Sequence, residues 1–153
     1  MRENLELGAF TLDKPRARAA IERVTAQFPM LRAKWRELAG NLSGGEQQIL
    51  EMAMVLETEP KLLLLDEPSL GLAPKMLAQV FETVSAIRAT GITVLIVEQN
   101  ARGALAISDT AIVMELGRKA LEGPAGAIMA DPKVRVAYLG ADPEASVQVR
   151  TAV

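Results

Sequence analysis

Two clusters of residues in this chain can do chemistry. The first is Leu42-Ser43-Gly44-Gly45-Glu46-Gln47-Gln48. Ser43 stands three residues before Glu46 at the start of an amphipathic run, the spacing of a helix capping box. The same geometry suits a phosphate: a helix N-terminus bearing two glycines lets unpaired backbone N–H groups approach an anion, and the Ser43 hydroxyl adds a donor. The two readings are compatible. The second cluster is Asp66-Glu67, directly after the apolar run Leu62-Leu63-Leu64-Leu65. Carboxylates at that point emerge at the carboxyl end of a buried strand, the ligand side of a parallel sheet. There Asp66 can hold a Mg²⁺ through water, and Glu67 can orient and polarise an attacking water. An Asp-Glu-Pro that merely ends a strand in a polar turn is the alternative, and the leucine run is what favours chemistry. Gln99 follows a second apolar strand, after Glu98, and lies beside the carboxylate pair if the strands are neighbours. It reads equally as a polar residue at a helix start, next to Asn100 as N-cap. The 153 residues contain no G-x-x-x-x-G-K-[ST] phosphate loop.

Composition narrows the chemistry further. The chain has no His, which removes Ser-His-Asp triads, His-ligated zinc and imidazole acid/base catalysis, so any catalysis runs on carboxylates. It has no Cys, which excludes disulfides and thiolate metal sites. Lys and Arg number 17 against 19 Asp and Glu, with no basic cluster of the kind that marks a nucleic-acid footprint. No stretch approaches the ~20 apolar residues of a membrane span, and the N-terminal residues lack a signal-peptide core. The expectation is a chain without a direct membrane span, reaching a membrane only through a protein partner. Its length is that of one domain.

The elements that must position these clusters change character near residue 60. Lys14 to Phe28 reads as a helix with Asp13 as N-cap and Pro15 in its first turn, stopped by Pro29. Leu31 to Leu38 reads as a short second helix ended by Gly40. Ile49, Met52, Ala53 and Leu56 recur at helical spacing after the glycine pair. From Lys61 strands and helices alternate. Leu62 to Leu65 is expected as a strand covered on both faces. Met76 to Thr90 is expected as a helix presenting Leu77, Val80, Phe81, Val84 and Ile87, with Gly91 as its cap. Ile92 to Val97 is expected as a second buried strand. The order strand, helix, strand predicts a parallel βαβ unit. Asn100 to Ser108 is expected as a helix, Thr110–Glu115 and Lys119–Glu122 as a hairpin about Gly117, and Pro124 to Tyr138 as helical with a break near Pro132. Trp35 and the methionines read as packing. Arg32, Lys34, Arg36 and Glu37 read as a solvated face.

The succession LSGGEQQ, helix, LLLLDEP, Ser69-Leu70-Gly71-Leu72, helix, VLIVEQN closely resembles the ATP-binding cassette (ABC) ATPases. Within them it looks like the subunit of branched-chain amino acid importers, on the strength of SLGLAP after the carboxylates, EQN at the switch position and AYLG near the C-terminus. The resemblance implies an α/β fold: a partial P-loop NTPase, with the half-core of a parallel sheet plus a helical signature subdomain. It implies a helical subdomain over residues 1–58 and the C-terminal half of the catalytic core over 59–153. It implies ATP and Mg²⁺ as cofactors. Leu42, Ser43, Gly44, Gly45, Glu46 and Gln47 match the signature that meets the γ-phosphate of ATP held by an opposite subunit. Asp66 matches the Walker B metal ligand, Glu67 the catalytic glutamate, Ser69 and Gly71 the D-loop, and Gln99 the switch. Glutamine there can hydrogen-bond a phosphate oxygen or the attacking water but cannot become cationic, so its contact should not titrate near neutral pH.

The partners implied are a second ABC ATPase subunit in a head-to-tail dimer and membrane permease subunits. The implied location is cytoplasmic, peripheral to the inner face of the cell membrane through those permeases. The family places the Walker A lysine, the adenine-stacking aromatic and the Q-loop glutamine upstream of the segment RENLELGAF. The expected function is therefore that of an ATP-hydrolysing importer subunit present as a truncated cassette, unable to hydrolyse ATP alone. The alternatives are a non-enzymatic module that donates its signature loop to a partner cassette, and a vestigial inactive fragment. A sheet lacking the Walker A strand should also leave Ile92 to Val97 as an exposed apolar edge.

Overall fold

The computed structural model describes residues 1–139. The last residue of the Ala137-Tyr138-Leu139-Gly140 cue, and residues 140–153 of the expected catalytic half, lie outside them. The chain forms two units, Met1–Val97 and Glu98–Val153.

The first unit opens with α1 (Arg2–Gly8), a helix too short and weakly capped to announce itself in the sequence. Then comes α2 (Lys14–Gln27), whose N-cap Asp13 accepts from the Arg16 N–H at 2.9 Å. Pro29 does more than stop α2. It occupies the first turn of α3 (Pro29–Ala33), where its missing N–H has no intrahelical acceptor to lose. The helix expected over Leu31–Leu38 therefore starts earlier and ends at Ala33, followed by a 3₁₀ turn at Ala39–Asn41. The physical reason lies in α1. The Trp35 carbonyl accepts from the Arg2 N–H at 3.3 Å, and the Glu37 carbonyl accepts from the Met1 amino group at 2.7 Å. Those carbonyls are turned toward the N-terminus instead of along a helix.

Helix α4 (Gly44–Leu56) buries Ile49, Leu50, Met52, Ala53 and Leu56, the expected face with Leu50 added. It packs on α1 at Gly8, where a Cβ would come within 2.4 Å of Glu57 Oε2 and 3.0 Å of Met54 Cα. Only a glycine allows that approach. Strand β1 (Leu62–Asp66), α5 (Pro74–Ala89) and β2 (Thr93–Val97) complete the unit. The strands pair in parallel, from Leu62 opposite Thr93 to Asp66 opposite Val97, as the βαβ pattern predicts. Helix α5 buries Val80, Phe81, Val84 and Ile87, and Gly91 follows it with φ +94°.

The strands are not covered on both faces as expected. Leu63 is buried, but Leu62, Leu64, Leu95 and Val97 are each more than half exposed. The register puts these four on one face, because alternate residues share a side and Leu64 lies opposite Leu95. The apolar run comes from a strand built for two covered faces, and among the described residues only one is well packed.

The second unit contains α6 (Ala101–Ile107), β3 (Thr110–Glu115), β4 (Arg118–Pro124), α7 (Ala125–Ala130), α8 (Pro132–Val134) and a single wide turn at Arg135–Leu139. Asn100 caps α6, its Oδ1 accepting from the Gly103 N–H at 3.0 Å. Strands β3 and β4 are antiparallel, joined by Leu116 (φ +48°) and Gly117 (φ +74°). Positive φ at both central residues gives the tight turn that matches strand twist. The expected break at Pro132 separates α7 from α8, with Asp131 accepting from the Lys133 N–H. Leu105, Ala125, Ile128 and Val134 form this unit's core, against Val113 and Leu121 of the hairpin.

Candidate functional site

The sequence explains why α4 begins where it does. Ser43 is extended (φ −63°, ψ 156°), as an N-cap must be, and the reciprocal capping box with Glu46 is formed. Glu46 Oε2 accepts from the Ser43 N–H and from the Ser43 hydroxyl, both at 3.0 Å. The N–H groups of Gly44 and Gly45 begin the helix and have no acceptor inside it. Ser43 and Gly44 are exposed, while Leu42 beneath them is 6% exposed and anchors the turn. Helix α5 and the loop before it close on the glycines: a Cβ at Gly45 would lie 3.0 Å from Met76 Cβ of α5, and one at Gly44 would lie 3.0 Å from Leu72 Cδ2 of the loop. Gly45 is thus buried for packing, while Gly44 stays exposed at the helix start. Gln47 begins the regular ladder, its N–H donating to the Ser43 carbonyl at 2.9 Å.

A residue outside the sequence-derived set joins this turn. Lys34 Nζ lies 2.9 Å from Glu46 Oε1 and 3.1 Å from Oε2, with Glu37 at 3.7 Å. The hydrogen bond from Lys34, then that from the Ser43 backbone, hold the Glu46 carboxyl below its usual range. The same bond raises the Lys34 ammonium above its ordinary value. Lys34 reads as solvated surface in the sequence because its partner is 12 residues away, beyond helical spacing. The wider reading of that segment is corrected at this one position.

At the carboxyl end of β1, Asp66 is exposed and Glu67 is half-buried. The Glu67 N–H donates to the Val97 carbonyl at 2.8 Å, extending the parallel ladder one step past Asp66. Its φ is +46°, a left-handed conformation uncommon for a residue with a side chain. Such conformations cluster where function holds the backbone. The chain then turns tightly: Leu70 N–H donates to the Glu67 carbonyl at 3.0 Å and Leu72 N–H to the Ser69 carbonyl at 3.2 Å, with Gly71 at φ +73°. Ser69 is 6% exposed.

A cleft of about 430 Å³ is lined by Gln48, Glu51, Met52 and Val55 of α4 and by Leu62–Asp66 and Pro68; it takes in Asp66, whereas the Ser43–Gln47 turn and Glu67 lie outside its lining. Among the described residues no three His, Cys, Asp or Glu side chains gather as a protein-only metal cage. A single exposed carboxylate at a strand end fits Mg²⁺ nonetheless, because that ion keeps several waters and takes substrate phosphates as ligands. Gln99 belongs to the second unit, where it is exposed and its carbonyl accepts from the Ala101 N–H at 2.8 Å. Glu98 beside it accepts from the Asn100 N–H at 3.2 Å.

Comparisons with known proteins point the same way. A family model described as ABC transporter matches residues 1–70. The chain is 47% identical over 138 residues to the high-affinity branched-chain amino acid transport ATP-binding protein BraG of Pseudomonas aeruginosa, covering 90% of this chain and 59% of that protein. It is 39% identical over 139 residues to the probable branched-chain amino acid transport ATP-binding protein LivF of Archaeoglobus fulgidus, covering 90% and 59%. The crystal structure of a nucleotide-free ATP-binding cassette from an ABC transporter matches with a TM-score of 0.72 at 28% identity, covering 92% of this chain and 62% of that one. The chain thus spans 59% of the length of these curated relatives. Among the described residues no helix is long and apolar enough to cross a membrane.

Proposed function

We propose, from the premise that this chain belongs to the ATP-binding cassette family of transport ATPases, that it serves ATP hydrolysis in an importer of branched-chain or other hydrophobic amino acids. The observation that carries the reading is the Asp66-Glu67 pair at the carboxyl end of the parallel strand β1, with Glu67 held at φ +46°. The 47% and 39% identical relatives, both named as branched-chain amino acid transport ATP-binding proteins, support the subgroup. In this reading Asp66 holds Mg²⁺ through water and Glu67 polarises the water that attacks the γ-phosphate. The turn Leu42–Gln47 faces the γ-phosphate of ATP held by a second cassette in a head-to-tail dimer, and Ser69 and Gly71 shape the loop between the two sites. Gln99 contacts phosphate or water without titrating. Residues 1–58 act as the helical subdomain and 59–153 as the carboxyl half of the core. Permease subunits hold the assembly at the cytoplasmic face of the membrane.

The 153 residues supply no phosphate loop, so the polypeptide by itself should bind MgATP far more weakly than an intact relative. Isothermal titration of both proteins under one buffer checks this, and equal affinities would defeat it. A second reading, supported by the exposure of Ser43 and Gly44, is a non-enzymatic module offering its signature turn in trans. ATP turnover that rises when the chain is mixed with an intact cassette, and that Glu67→Gln leaves unchanged, would select the module over the hydrolase.

A further inference from the structure

We infer that Lys34 is a positioning residue for the signature turn, acting through Glu46 to decide which acceptor the Ser43 hydroxyl serves. This rests on the nucleotide reading above and goes beyond the family motif, which does not include residue 34. In the structure Glu46 Oε2 takes three donors: Lys34 Nζ at 3.1 Å, Ser43 N–H at 3.0 Å and Ser43 Oγ–H at 3.0 Å. The hydroxyl that a phosphate would need is therefore engaged by Glu46, one turn into the same helix. For Ser43 to donate to a phosphate oxygen, Glu46 must release it.

Lys34 makes that release easier in two ways. It supplies Glu46 with a charged donor on both oxygens, at 2.9 Å and 3.1 Å, so the carboxylate loses little when the neutral hydroxyl leaves. It also neutralises a negative charge standing beside the Gly44 and Gly45 N–H groups, where a polyanion would arrive. Glu46 is 19% exposed and Lys34 31%, so the pair is sheltered enough to keep its geometry and open enough to feel salt. Glu37, 3.7 Å from Lys34, pairs with the same ammonium.

The test uses a completed cassette, in which the phosphate-loop segment of the 47% identical relative is joined ahead of the full 153-residue chain. Lys34→Met is expected to raise KM for MgATP about fivefold at low salt, leave kcat nearly unchanged, and lose most of that effect near 1 M salt. Lys34→Arg should retain the parent KM. In a Glu46→Gln background Lys34→Met should change KM less than about twofold, because the charge it balances is gone. Without nucleotide, amide exchange at Ser43 in the 153-residue chain should slow about fivefold in Lys34→Met, because Glu46 without its charged donor holds Ser43 more tightly. An unchanged KM in an active cassette, an equal rise in the Glu46→Gln background, or unchanged exchange at Ser43 would each overturn the inference. A parent cassette without turnover would instead refute the proposed function, and the exchange measurement would still decide the role of Lys34.

Discussion

Glu67→Gln in the completed cassette is expected to lower ATP turnover by about 10²–10⁴-fold, the range a positioned general base contributes. MgATP binding should survive, because the substitution keeps the volume of the side chain and removes only its ability to accept a proton. The backbone supports so large an effect at this residue. Glu67 is held at φ +46° by its N–H bond to the Val97 carbonyl and by the turn that its own carbonyl closes with Leu70. Asn, Asp and Gly tolerate that conformation better than a glutamate does, so the backbone at Glu67 is held by its surroundings. Steady-state turnover together with nucleotide binding checks the prediction. A fall of less than tenfold, or a parallel loss of binding, would remove Glu67 from the catalytic role.

The second large effect concerns stability. Glu57, just past the end of α4, is 1% exposed, and neither carboxylate oxygen has a hydrogen-bond partner among the described residues. Oε2 faces Gly8 of α1. Arg23 of α2 is nearby, but its guanidinium donates to the Leu56 and Glu57 carbonyls and pairs with Glu59 at 2.8 Å. Burial pushes the Glu57 carboxyl from 4.5 up to about 7, against the opposing charge of Arg23. A raised native value means that the folded state binds the proton more tightly than the unfolded chain. The resulting stabilisation is complete below pH 4.5 and is lost as pH rises through 7, about 3 kcal/mol in all. Glu57→Gln keeps the shape and removes the titration. Urea unfolding should show the variant close to the parent at pH 4.5 and more stable by roughly 2–3 kcal/mol at pH 8. The comparison with the parent isolates Glu57 from Glu46, whose depressed value has the opposite sign and destabilises the fold as pH falls. An equal difference at the two pH values would show that Glu57 ionises freely in the native state.

What the sequence disclosed follows from which interactions are local. The Ser43–Glu46 box, the Asp13 and Asn100 caps and the turn at Leu116-Gly117 each depend on residues within four positions, and each forms as its spacing predicts. The parallel pairing of β1 and β2 followed from two apolar runs with an amphipathic helix between them. The failures are non-local. The short α3 is set by hydrogen bonds from Met1 and Arg2, more than 30 residues away. Lys34 finds Glu46 across a loop, and Glu57 is buried by the approach of α1 at Gly8, so neither role is written in its neighbours. Strand runs that promise two covered faces cannot say what covers them, and the exposure of Leu62, Leu64, Leu95 and Val97 shows the limit of that inference. Within the candidate site, residue types and order were legible, whereas the left-handed backbone of Glu67 and the engagement of the Ser43 hydroxyl needed coordinates.

The central claim is that the signature turn and the Asp66-Glu67 pair of this chain serve ATP hydrolysis. The most direct test is MgATP turnover by the unsubstituted completed cassette, measured beside the intact 47% identical relative. Turnover within about tenfold of the relative is expected, since every residue from the signature turn to the switch would come from this chain. A completed cassette that folds and binds MgATP yet releases no phosphate above background would contradict it.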